Sequence, residues 1–398
     1  MDRIMNMMSK NRLTLLFCLL VTLTLTAYPV PKDFNVGINY SGFYSDNIFM
    51  NASKVKDYIS QLDTDLNFSL ERFNLYLEAS ADIYTDSTGF NSFSIEPGVE
   101  YRHFLKGRDS VSMGLSYRVL NYKELYTDFN YSGPRFQAGT KFYITPQTLF
   151  KVNYRFQSRN YTNYESFDFY NHTAFVEIDR FFKSQTSLRL QAGFNYRYYP
   201  HIVEGYDFGD DYNYYNHHGS QGKGNPFGGP HSQNLEYNTL SVPNLYGLVQ
   251  IAQGIGTRFA ITGEAEIRHN FQGLDLDRAE TLIKNAYVLY PLNDDYLWDG
   301  SRLSLKLNIV LFKTLSLEGE FSYFDKDYPG IYIMDAEDNA VEPLTQRKDS
   351  LLFYQLKMSK RIGKFDLFSR LSYRDNDSTD DYFLYKMLTI SAGIGYYF

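Results

Sequence analysis

The chain has 398 residues, a formal net charge of −7, 21% charged and 43% hydrophobic side chains, 37 Tyr, 32 Phe, one Trp and one Cys. Its apolar content argues against a disordered chain, and beyond the N-terminus no apolar run approaches the ~18 residues that a spanning helix needs, which excludes a multi-helix membrane protein. The acid excess, with no basic block, excludes a nucleic-acid partner, whose phosphates call for clustered Lys and Arg.

The N-terminus has the layout of an export signal over residues 1–27. Arg3, Lys10 and Arg12 precede the apolar stretch Leu13–Leu25, and Ala27 offers a small residue before a cut. Thirteen apolar residues are too few to span a bilayer. Those 27 residues carry three bases against Asp2, so the chain after them stands at −9. Cys18 lies inside the signal and follows Phe17 where a lipobox wants a small residue, so neither lipidation nor a disulfide is expected.

From Asp33 onward the pattern is period two. In VSMGLSYRV, Val111, Met113, Leu115, Tyr117 and Val119 share one face, while Ser112, Gly114, Ser116 and Arg118 share the other. KVNYRFQSR and SLRLQAGFNYRY repeat the theme. Such alternation marks half-buried strands. About sixteen runs are expected, near 33–44, 57–70, 72–84, 90–104, 109–121, 131–144, 147–159, 168–182, 186–199, 237–252, 256–270, 299–312, 314–325, 346–360, 364–374 and 382–398. Pro243 blurs one of them.

Short and long connections alternate between these runs, and the longest are 200–236, 271–298 and 325–344. Short turns at one end and long loops at the other, strands of 12–17 residues, and Tyr and Phe at strand ends fit tilted spanning strands better than a soluble sandwich. The expected fold is all-β: residues 28–398 form one transmembrane antiparallel up-and-down barrel of about sixteen strands, with fourteen or eighteen as alternatives. Closure has its own physical reason. In hydrocarbon every backbone donor and acceptor needs an internal partner, and for strands only a closed barrel leaves no edge.

The last run, MLTISAGIGYYF, ends on Phe398 with Tyr396, Ile394, Ala392, Ile390 and Leu388 at alternate positions before it. It resembles the C-terminal strand of Gram-negative outer-membrane β-barrel proteins, which closes on an aromatic; no narrower family is marked. The resemblance implies residence in the bacterial outer membrane, contact with its lipid, and insertion by the barrel assembly machinery, with Ile390, Ile394, Tyr396 and Phe398 as the assembly signal.

The polar face suggests what the interior does. Successive runs offer Glu96 and Glu100, then Arg118, then Arg135 and Lys141, then Lys151 and Arg155, then Glu177 and Asp179, then Arg189 and Arg197. Further on come Glu264 and Glu266, then Arg302 and Lys306, then Glu318 and Glu320. Signs that alternate between neighbouring strands pair laterally in a wet wall, and a lumen of sixteen strands is too wide for side chains alone to fill. A porin-like channel for small hydrophilic solutes is therefore the leading expectation. A non-conducting barrel acting in surface interaction or as an export accessory is the alternative, and a rim enzyme acting on lipid or peptide is the third reading. The pattern admits both a monomer and a homo-oligomer.

No cofactor or metal site is expected. Loop 200–236 is a candidate plug holding Asp207, Asp210, Asp211, His217, His218 and His231, but without defined ligand spacing. His269, near Glu266 and Asp275, is the nearest thing to a base with an orienting acid, and no nucleophile motif joins it.

Overall fold

The structure, a computed structural model, describes residues 34–397 apart from 53, 164, 204–236, 272–297 and 334–344. The signal segment, Phe398, Asp275 and most of the candidate plug lie outside the described residues.

Sixteen strands form in chain order. β1 (Phe34–Ser45), β2 (Asp57–Leu70), β3 (Phe73–Tyr84) and β4 (Ser92–Phe104) are followed by β5 (Ser110–Tyr122), β6 (Tyr131–Thr145), β7 (Thr148–Tyr161) and β8 (Phe169–Phe181). Next come β9 (Thr186–Val203), β10 (Tyr237–Ile255), β11 (Phe259–Asn270) and β12 (Asp299–Phe312). The last four are β13 (Leu315–Tyr332), β14 (Gln346–Ile362), β15 (Phe365–Ser378) and β16 (Tyr385–Tyr397). Each pairs antiparallel with its chain neighbours, and β1 closes on β16 from Gly37↔Tyr397 to Ser45↔Thr389. Both strands of that closing pair therefore have no free edge.

At one end the strands turn within a few residues, as between β2 and β3 or β14 and β15. Gly107 and Gly363 take φ of +72° and +60° there, a conformation that glycine reaches at little cost. At the other end are the long connections. Two of them start later than the sequence suggests, because β9 continues to Val203 and β13 to Tyr332. Val203↔Tyr237 and Tyr332↔Gln346 extend the ladder into stretches whose sequence no longer alternates apolar with polar. Hydrogen bonding continues where the hydropathy signal stops. Pro243 is accommodated at the rim of this region. Its carbonyl accepts from Phe271 N (3.3 Å), just past the last β10–β11 pair, Asn244↔Asn270, so its missing N–H falls where the ladder ends.

The outward face is apolar along all of the strands. Ile38, Leu62, Ile83, Met113, Leu115, Val249, Ile251, Ile267, Leu303, Leu305, Leu356 and Ile390 are all exposed on it. An exposed apolar surface this extensive is stable only against hydrocarbon. Buried aromatic side chains gather instead at the long-connection end of the interior, where Phe169, Tyr199, Trp298, Tyr328, Phe383 and Tyr385 are each at most 2% exposed.

Neighbours on one strand test these two faces. Val249→Arg, pointing outward, is expected to cost roughly 2–4 kcal/mol in vesicles, the range for a base near the bilayer midplane. Gln250→Arg, pointing inward beside Glu264, is expected to change stability by less than about 0.5 kcal/mol. Urea unfolding of the vesicle-inserted protein measures both, and equal effects would contradict the assignment of faces.

Candidate functional site

Period-two geometry and the observed register place all seventeen residues expected on the polar face toward the barrel interior. On β7–β9 the charges interlock. Lys151 Nζ lies 2.5 Å from Glu177 Oε1 and 2.8 Å from Asp179 Oδ2, while Arg189 Nε lies 2.8 Å from Asp179 Oδ1 and 3.4 Å from Glu177 Oε1. Both carboxylates are buried in the wall, each held by bases on the strands to either side.

The β11–β13 wall follows the same plan. Arg302 bonds to Glu264 and lies 3.2 Å from Glu266, Arg268 lies 2.5 Å from Glu266, and Lys306 lies 3.5 Å from Glu320. Gln250 also donates to Glu264 at 3.0 Å. On β4–β6 the pairing skips a strand. Arg135 Nη1 reaches Glu96 Oε2 at 2.7 Å across β5, where Ser116 donates to Glu96 Oε1 at 2.7 Å. A larger side chain at Ser116 would block that reach. Glu100 pairs with Arg102 on its own strand at 2.8 Å.

The other expected residues use other partners or no ionic one. Lys141 stands over the Tyr143 ring, Arg155 over Phe175, and the buried Arg197 over Phe169 at 4.3 Å. Glu318 faces Lys357 in register, and among the described residues neither it nor Arg118 makes an ion pair within 4 Å.

Several interior charges escaped the sequence reading: Asp63 and Asp65 on β2, Glu78 and Asp82 on β3, Lys357 on β14, and Arg370 and Arg374 on β15. Their inward parity was readable, but a search for strands of alternating sign passes over β2 and β3, which are both acidic. A cavity of about 720 Å³ runs along β13–β16, β1 and β2, and Asp63, Lys357, Arg370 and Arg374 all line it.

At the long-connection end three consecutive hairpins close by one device. Tyr84, Tyr122 and Tyr161 end their strands, and their backbone N–H groups donate to the side-chain oxygens of Asn91, Asn130 and Asp168 at 2.7, 2.5 and 2.6 Å. The Asn91 and Asn130 carbonyls then accept from Lys123 N (2.8 Å) and Thr162 N (2.9 Å) of the next hairpin. A phenylalanine precedes each closing residue, and Phe90, Phe129 and Phe167 join through Tyr126 in one stack. The signal was present in the sequence as Tyr, five or six residues, Phe, then Asn or Asp.

Elsewhere at this end, bases lie on aromatic faces. Arg347 sits 4.2 Å from the Tyr328 ring and 3.4 Å from Phe383, and Arg268 and Lys326 share Trp298. Gly300, with φ of +135°, stands between Arg268 and Lys326 in the register, and a Cβ there would meet the Asp325 carbonyl at 1.9 Å.

His269 does not join Glu266. By strand parity it faces outward, its Nδ1 is 3.1 Å from Asp299 Oδ2, and its side chain is largely exposed. Glu266 faces inward.

No family model matches the sequence, and no curated protein matches it. Among solved structures the chain is similar to Acinetobacter baumannii OccAB1, at 10% identity and a TM-score of 0.47 over 93% of this chain and 97% of that one. Pseudomonas aeruginosa OccK8 (OprE) gives 9% and 0.47 over 93% and 99%. A bacterial polysaccharide outer-membrane secretin gives 8% and 0.47 over 91% and 98%. At these scores the likenesses bear no weight on function.

Two outcomes follow from the wall and the hairpins. Lys151→Met leaves two buried carboxylates with Arg189 alone and is expected to cost about 1–3 kcal/mol, and coupling to Asp179→Asn of about 0.5–3 kcal/mol is expected in a double-mutant cycle. Burial pushes the Asp168 carboxyl up to about 6, against the lowering effects of its Tyr161 N–H bond and of His201. The folded state then holds this proton where the unfolded chain has released it, so stability falls as pH rises from about 4 to 6 and levels off above. Asp168→Asn, which keeps an oxygen for Tyr161, is expected to flatten that slope; hydrogen exchange at the Tyr161 amide, corrected for intrinsic rates, measures it.

Proposed function

We propose that this chain is an outer-membrane channel through which small hydrophilic solutes diffuse. The observation that carries the reading is a closed sixteen-strand barrel, apolar outside, whose charged inner wall borders a polar cavity. A barrel of this strand number is wide enough for a water-filled passage. Laterally paired charges line it without leaving isolated ions in the wall, and their fields act on whatever passes.

The seventeen interior residues form the lining under this reading, joined by the acidic and basic groups on β2, β3, β14 and β15. Ile390, Ile394 and Tyr396 alternate on the lipid side of β16, and with Phe398 they would serve recognition by the assembly machinery. The first 27 residues would direct export.

Reconstitution in a planar bilayer in KCl tests the channel. Stepwise conductance is expected from the folded protein, and a wild-type barrel that inserts without conducting would remove this reading in favour of a surface or accessory role.

A further inference from the structure

The interior charges fall into two kinds. On β7–β9 and β11–β13 most are neutralised by a partner across the strand. Two sectors are not. Among the described residues Asp63, Asp65, Glu78 and Asp82 make no ion pair within 4 Å with any base, and β1 to β3 present no inward Lys or Arg. Lys357 and Arg370 likewise make no ion pair among the described residues, and as direct cross-strand partners they set two like charges side by side. Arg374, two inward positions along, donates to Met50 Sδ at 2.8 Å.

Between these sectors lie β16 and β1, whose inward side chains are uncharged: Thr389 and Ser391 on one, Asn39 and Ser41 on the other. The same cavity touches both charged sectors and the neutral strip between them. Arg370 shares a register row with Ser391, Phe43 and Ile59, so Asp63 stands three strands across and four residues along, roughly 20 Å over the wall at ~4.8 Å per strand and ~3.4 Å per residue. Side chains reaching in from both sides narrow that to a gap too wide for them to neutralise each other and short enough for a small molecule to bridge.

The geometry points to a binding track for zwitterionic solutes, short peptides above all, with the carboxylate on Lys357 and Arg370 and the ammonium on Asp63. A simple anion drawn to the bases meets the field of Asp63 from the same cavity, and a simple cation meets the opposite. A dipolar molecule lying across the neutral strip satisfies both, and Asn39, Ser41 and Ser391 supply hydrogen-bonding groups beneath it. With charges about two or three residues apart, at ~3.5 Å per residue, a tripeptide has the right span. This assignment rests on the interior being the solute passage.

The test is block of the KCl current through the full barrel by triglycine, N-acetyl-triglycine and triglycine amide. Triglycine is expected to dwell about tenfold longer than either blocked form, the effect of losing one charge-assisted contact. Lys357→Gln with Arg370→Gln should abolish its advantage over the amide only, and Asp63→Asn its advantage over the acetylated form only. The outward Lys348→Gln should change neither, and retarded migration of the unheated protein shows that each variant is folded. Normal conductance with equal dwell times for the three peptides would overturn the zwitterion site and leave the channel standing. Absence of any wild-type conductance would overturn the channel, and the site with it.

Discussion

A backbone in hydrocarbon has no water to bond to, and that constraint orders everything else in this molecule. Each strand must find partners on both sides, so the ladder has to close, and β1 meets β16. Closure fixes two faces, and the pleat sends alternate side chains to each. Lipid takes the apolar set. What remains is an interior wall in which every charge must be hydrated, paired or laid on an aromatic ring.

The wall uses all three solutions, graded along the barrel axis. In the middle, bases interlock with acids on neighbouring strands, and Lys151 and Arg189 flank the buried side chains of Glu177 and Asp179. Toward the long connections, Arg197, Arg268, Lys326 and Arg347 lie on aromatic faces within a packed layer. Lys357 and Arg370 on β14–β15 and Asp63 on β2 are left to hydration, and these three line the cavity. Unpaired charge and open space coincide.

Much of this was legible in the sequence, for a physical reason: in a barrel the faces are set by parity alone, and parity survives errors in strand boundaries. The inward placement of residues as distant as Glu96 and Glu320 follows from it. What parity does not give is which inward charges meet. Arg135 finds Glu96 two strands away because Ser116 leaves the space, and that is a fact about volume. β9 and β13 outrun their alternating stretches because hydropathy reports lipid contact, whereas the ladder continues beyond it. Sequence proximity sets His269 near Glu266, yet residues three apart on a strand face opposite ways, and its acid is Asp299 on the next strand. The Tyr–Phe–Asn closures escaped because they repeat within connections.

The strands that complete the ring carry no inward charge. Unzipping β1 from β16 would therefore strip no ion of its counterion, whereas parting β7 from β8 or β11 from β12 would tear an ionic lattice. Nine paired residues, a few hydroxyls and small side chains hold that seam. The cylinder is thus joined there by its backbone ladder rather than by ionic contacts, and added salt should loosen the interlocked staves more than this meridian.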